Sequence, residues 1–144
     1  MEKEKNQLTT NFTLTELIRS NTANKLNIDN TPSDDIVDNL KKLCTNILQP
    51  IRDKYGKPMV ITSGYRCKAL NKAVGGVKTS QHVLGQAADI NNGHTQNKAL
   101  FELIKQMVDD GEITVGQLLW EHGGQWIHVS LQTKKHKNEI RNIN

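Results

Sequence analysis

Eight apolar residues, Ile36, Val37, Leu40, Leu43, Cys44, Ile47, Leu48 and Ile51, recur at steps of one, three and four within a stretch of sixteen. That spacing draws one continuous apolar stripe down a helix, and a helix so striped must be covered by other elements of the fold. Thr31-Pro32 supplies an N-cap followed by Pro at the first helical position, where its missing N–H is harmless. Pro50 should kink or loosen the last turn, because an interior Pro removes one backbone bond and clashes with the carbonyl four residues back. Gly56 is the expected stop.

The rest of the chain gives that stripe its partners. Thr13-Leu14-Thr15-Glu16 has the spacing of a capping box and predicts a short helix to about Ser20, with residues 21–31 as a loop. Met59 to Thr62 reads as a short strand ending in Ser63-Gly64-Tyr65-Arg66. A brief helix through Leu70 and Val74 stops at Gly75-Gly76, and residues 77–85 read as a loop. Ala87 to Asn91 is a second strand. A second helical stripe runs from Ala99 to Val108, with Thr95 as its cap and Gly111 just beyond its end. Gln117 to Glu121 and Trp126 to Leu131 flank Gly123-Gly124 and read as a hairpin. With helices mainly first and strands mainly last, the expected class is α+β: a small antiparallel sheet with helices packed mainly on one side.

With 144 residues, 35% of them hydrophobic, the chain suits one domain with one core. Its expected division is a loose N-terminus over residues 1–11, a domain over 12–131 and a basic polar tail over 132–144. Lys134, Lys135, Lys137 and Arg141 against Glu139 give the last twelve residues +3 of the net +4, leaving the other 132 near neutral at +1. Six aromatics are few for a base-stacking platform, so no specific nucleic-acid partner is expected. Two cysteines, Cys44 and Cys67, are too few for a disulfide scaffold and read as buried small hydrophobes. The polar start, MEKEKNQLTT, lacks the apolar core of a secretory peptide, and no run approaches the roughly 18 apolar residues of a membrane span. Synthesis in the cytoplasm without membrane insertion is expected.

The chemistry gathers late in the chain. All five histidines lie at or after position 82. Between His82 and Asp89 stand six residues including a Gly and two Ala, small enough for a loop to turn back and bring both groups to one point. In Trp126-Ile127-His128-Val129-Ser130, strand alternation sends His128 to the face opposite the aliphatic residues. If the hairpin closes through Gly123-Gly124 or through His122 to Gln125, Glu121 pairs with Trp126 and becomes the diagonal neighbour of His128. A one-residue bulge would send it to the other face. Two His and one Asp leave a fourth tetrahedral position open, as in catalytic zinc, which lowers the pKa of water and polarises a carbonyl. Glu121 would then shuttle the proton, and Arg66 would suit an anionic group or a developing oxyanion. Taken singly, each histidine is first of all a polar surface residue, and His94, His122 and His136 keep that reading.

In order, Ser63-Gly64-Tyr65-Arg66, Leu70-Asn71, Val74-Gly75-Gly76, Ser80-x-His82-x-x-Gly85-x-Ala87-x-Asp89 and Trp126-x-His128 resemble the zinc D-Ala-D-Ala carboxypeptidase and L,D-endopeptidase family of peptidoglycan hydrolases. The resemblance spans roughly residues 12–131 and implies the fold shared by lysostaphin-type enzymes and the hedgehog signalling domain. It implies one catalytic zinc on His82, Asp89 and His128, substrate or oxyanion contact by Arg66, and substrate holding by Ser80. The family's catalytic acid often stands three residues before the last histidine. That position here is Gln125, which cannot act as a base, so Glu121, selected by the strand face, takes the role.

The function so implied is hydrolysis of a peptide bond involving a D-amino acid in cell-wall stem peptides, by a monomer. Without a signal peptide the chain resembles phage or prophage lysis enzymes, which leave the cytoplasm through pores made by a partner. The alternative is a non-catalytic wall-binding or virion structural module of the same fold, against which the intact ligand set argues.

Overall fold

A computed structural model of the chain describes residues 6–143, so the expectation of a loose terminus lies outside the described range for residues 1–5. Residues 6–11 are not loose. Strand β1 (Gln7–Thr9) pairs antiparallel with β2 (Phe12–Thr13), and Leu8 and Phe12 are both buried. One apolar side chain in a polar run, Leu8, suffices to dock the segment once a tight hairpin satisfies its backbone. Helix α1 (Leu14–Ile18) follows with the expected capping box: Thr13 Oγ1 accepts from the Glu16 amide at 3.2 Å, and Glu16 Oε1 accepts from the Thr13 amide at 3.5 Å.

The segment expected to be a loop over 21–31 holds a further short helix, α2 (Asn21–Lys25), started by Ser20 Oγ accepting from the Ala23 amide. Thr31 does not cap the next helix. Its hydroxyl and amide both donate to Asp29 Oδ1, so it closes a local turn, and α3 (Asp34–Leu43) starts after Ser33. The apolar stripe then runs unbroken through α3, a π-helical segment Cys44–Leu48 and α4 (Gln49–Tyr55). The widened turn lies just ahead of Pro50: the Gln49 amide donates to the Cys44 carbonyl, five residues back, which makes room for the ring that a regular turn would exclude. Leu40, Leu43, Cys44, Ile47, Leu48 and Ile51 are fully buried, and Gly56, at φ 74°, ends the helix.

The stripe covers one face of a five-stranded sheet. In spatial order the strands are β3 (Ile61–Ser63), β4 (Ala87–Ile90), β6 (Trp126–Ser130), β5 (Gln117–Glu121) and β7 (Glu139–Ile143). Helix α5 (Lys68–Ala73) and a 3-10 turn over Gln81–Leu84 join β3 to β4, and α6 (His94–Asp109) joins β4 to β5. At the start of α6 the Gly93 carbonyl accepts from the Asn97 amide, so Gly93, not Thr95, stands at the N-cap.

The α+β class stands, with four strands antiparallel as expected. The fifth is a correction: β7 lies parallel to β5, so the sheet is mixed and residues 139–143 of the expected basic polar tail are part of it. Ile140 packs against the core, while the Asn138 amide and Oδ1 bond the Val115 carbonyl and amide at 2.6 and 3.0 Å. Ala88, Ile90, Leu118, Ile127 and Val129 share one core with the helical stripe, and the alternate residues of the same strands face the other way. Among the described residues no helix is long and apolar enough to cross a membrane.

Candidate metal centre

Two glycines of the sequence pattern have steric reasons for their places. Ser80 Oγ accepts from the His82 amide at 3.2 Å and opens the Gln81–Leu84 turn, which Gly85 closes at φ 70°. A Cβ on Gly85 would stand 2.8 Å from Ile36 Cγ2 and 3.0 Å from the Ile36 carbonyl oxygen, so a larger residue would push the turn off α3. A Cβ on Gly64 would lie 2.2 Å from the Leu17 carbonyl oxygen. That close approach sets the Gly64 carbonyl 2.7 Å from His82 Nδ1.

The sheet register supplies the rest. Asp89 on β4 stands directly opposite His128 on β6, both on the face away from the core. Asp89 Oδ1 lies 3.3 Å from His82 Nε2 and 3.1 Å from His128 Nδ1, and the imidazole centroids are 5.2 Å apart. His82 and His128 are buried. A carbonyl can only accept, so His82 Nδ1 carries the proton it gives to Gly64. Its Nε2 then points at a carboxylate oxygen 3.3 Å away, so either a proton or a metal ion must lie between the two. The three ligand atoms lie within 4.8 Å of one another. A tetrahedron with zinc-to-ligand bonds of about 2.0–2.1 Å has edges of about 3.3 Å, the separation of Asp89 from His82. The donor set therefore fits one divalent cation with nitrogen and oxygen ligands. The Gly64 carbonyl fixes the His82 ring from outside, as partners of metal-binding imidazoles do.

Burial pushes the Asp89 carboxyl up, but the imidazole nitrogens beside it outweigh that and hold it well below the usual carboxylate range. Arg66 follows the Ser63-Gly64-Tyr65 turn off β3, and its amide donates to the His82 carbonyl at 3.1 Å. Asn30 grips both neighbours of Arg66: its Nδ2 donates to the Tyr65 carbonyl and its Oδ1 accepts from the Cys67 amide. Burial lowers the Arg66 guanidinium from its ordinary value while Asp89 and Glu121 pull it back up. Its Nε is buried without a hydrogen-bond partner among the described residues, a donor in want of an acceptor.

Glu121 pairs with Trp126 and Leu119 with His128, with no bulge between β5 and β6, so Glu121 lies on the His128 face as the hairpin reading predicts. Its Oε2 accepts a short bond from the Trp126 indole nitrogen. Arg66, Ser80, His82, Asp89, Glu121 and His128 all line one open cavity of about 880 Å³. Ser80 is there too, with its hydroxyl engaged in capping the turn.

The remaining histidines stay out of the cluster. His94 leans on Trp120, His122 stacks on Trp126 with centroids 4.5 Å apart, and His136 sits beside Glu139. Cys44 is buried, whereas Cys67 is half-exposed and its Sγ accepts from the Leu70 amide at 3.5 Å, so only Cys44 is a core hydrophobe. Sequence reasoning missed Trp126 as a partner for Glu121, although its place on the shared face was legible. It also missed Thr133, Lys135 and His136 on the cavity wall, for which no local signal exists.

Comparison with curated proteins gives no match. A family model described as Peptidase M15 matches residues 10–130, which takes in β3 to β6 and all three converging donors, and the chain accordingly belongs to the Peptidase M15 family of zinc-dependent peptidases.

Proposed function

We propose that this chain is a zinc peptidase that hydrolyses a peptide bond involving a D-amino acid in cell-wall stem peptides, with His82, Asp89 and His128 as the metal ligands. The observation that carries the reading is the convergence of those three donors in an open cleft shared with Arg66 and Glu121. Zinc bound there would supply the Lewis acidity that activates water and polarises a carbonyl. Glu121 takes the proton of the attacking water and returns it to the leaving amine. Trp126 holds one Glu121 oxygen, which leaves the other for the water. Arg66, whose charge is fixed and whose Nε wants an acceptor, donates to the substrate carbonyl oxygen as it becomes negative. Ser80, which lines the cleft, contributes to holding the peptide.

In the cell the reading is a phage or prophage-type lysis enzyme, active as a monomer on the wall after release through pores made by a partner. The test is incubation with purified peptidoglycan, with and without a chelator, followed by mass spectrometry of the new termini. Loss of a terminal D-Ala identifies a carboxypeptidase and a new internal amine an endopeptidase. Absence of any release by the zinc-loaded protein would overturn the enzyme reading in favour of a non-catalytic wall-binding module.

A further inference from the structure

The cleft has a wall that the family match does not reach. That match stops at residue 130, yet Thr133, Lys135 and His136 line the same cavity as the candidate ligands. The wall is anchored at both ends. The Thr133 amide donates to the His136 carbonyl at 3.0 Å and the His136 amide donates back to Thr133 Oγ1 at 3.1 Å, closing a tight turn. Asn138 then bonds Val115 through both its amide and its side chain, and β7 follows β5 in register from Gln117↔Glu139 to Glu121↔Ile143.

This register decides which end of the cleft the turn occupies. Gln117 and Glu121 mark opposite ends of β5, roughly 13 Å apart at about 3.3 Å per residue. His136 Nδ1 lies 3.2 Å from Glu139 Oε2, and Glu139 pairs with Gln117, so the turn sits at the Gln117 end. Glu121, His122 and Trp126 form the other end, and His128, opposite Leu119, lies between. The charges divide accordingly. Glu139 is engaged by Gln117, His136 and Arg141, while Lys135 has no ion-pair partner among the described residues. Val74, Val77 and Leu84, exposed apolar residues of the segment joining β3 to β4, line the same cavity.

We propose that Lys135 is a specificity-determining residue that pairs with a carboxylate of the peptide substrate on the Gln117 side of the scissile bond. This rests on the peptidase reading above, and it names the substrate as an acidic peptide. A peptide with a carboxylate toward Lys135 and an aliphatic group toward Val74, Val77 or Leu84 matches both features of the cavity wall. The neutral amide of the same peptide loses that match.

The test uses the full-length zinc-loaded protein and stem-type peptides that each carry one free carboxylate, each paired with its amide. For one acid and amide pair the wild type should show a KM about fivefold lower for the acid at equal kcat, the size set by an exposed ion pair. Lys135→Ala should lose that preference and Lys135→Arg should keep it. Equal KM for every acid and amide pair in the wild type overturns the proposal. So does a preference that survives in Lys135→Ala, because the carboxylate would then be read by the metal or by Arg66. Should no peptide be cleaved, the peptidase reading fails by itself, and calorimetric binding of the same peptides decides on Lys135: a preference for the acid that vanishes in Lys135→Ala sustains the contact, while equal or absent binding ends it.

Discussion

The two faces of β4 and β6 are built on the same nine residues of backbone and do opposite work. Ala88, Ile90, Ile127 and Val129 point into the core and are fully buried, whereas Asp89 and His128, between them in sequence, face the cleft as a cross-strand pair. One residue of alternation thus separates packing from chemistry, and a one-residue slip of register would exchange them. A rigid core face directly behind Asp89 and His128 is what holds their ligand atoms near 3 Å without a loop to adjust them.

The sharpest way to break this division is to cut each face separately. Asp89→Ala should lower kcat/KM by about 10³-fold or more, the loss of several kcal/mol of metal-dependent stabilisation, and should abolish stoichiometric zinc binding by atomic absorption. Ile127→Ala, one strand position from His128, should cost about 2–5 kcal/mol in urea unfolding while the folded fraction keeps its kcat. An Ile127→Ala protein that is folded yet inactive would show that the faces are not separable.

Glu121 tests the division within the cleft itself. Glu121→Gln keeps the shape and the bond from Trp126 but removes the base, so turnover should fall by about 10² or more with zinc content unchanged. Full activity in a zinc-replete Glu121→Gln protein would remove it from the mechanism.

What was legible in the sequence follows the same line between local and distant. The stripe from Ile36 to Ile51, the capping box at Thr13, and the face shared by Glu121 and His128 all obey short periods, and each stands where the spacing places it. The convergence of His82 on Asp89 was readable from the small residues between them, and the gap of 39 residues to His128 came from the resemblance. The illegible parts depend on partners far away in the chain. Lys134, Lys135 and Lys137 mask a strand whose two apolar residues, Ile140 and Ile143, find their ladder only on β5. Leu8 gives no pattern alone, and the Gly64 carbonyl that orients His82 is a backbone group with no residue code.

The smallest expected effect compares burial on the two sides. Asp89, buried among partners, is held low, whereas Cys44, buried as part of the stripe with the Glu16 charge nearby, is pushed up to about 12. The sign for Cys44 is fixed by which state holds the proton. Above the ordinary thiol value near 9 the unfolded chain gives up its proton while the folded protein keeps it, so stability falls as pH rises between these values. The slope from this one group is about 1.4 kcal/mol per pH unit. Unfolding free energies from urea titrations at pH 9.5 and 10.5 should therefore drop by about that much more in the wild type than in Cys44→Ala, whatever the absolute cost of the cavity. A Cys44→Ala protein with the wild-type slope would mean that the thiol ionises in place and that the core face is wetter than its packing implies.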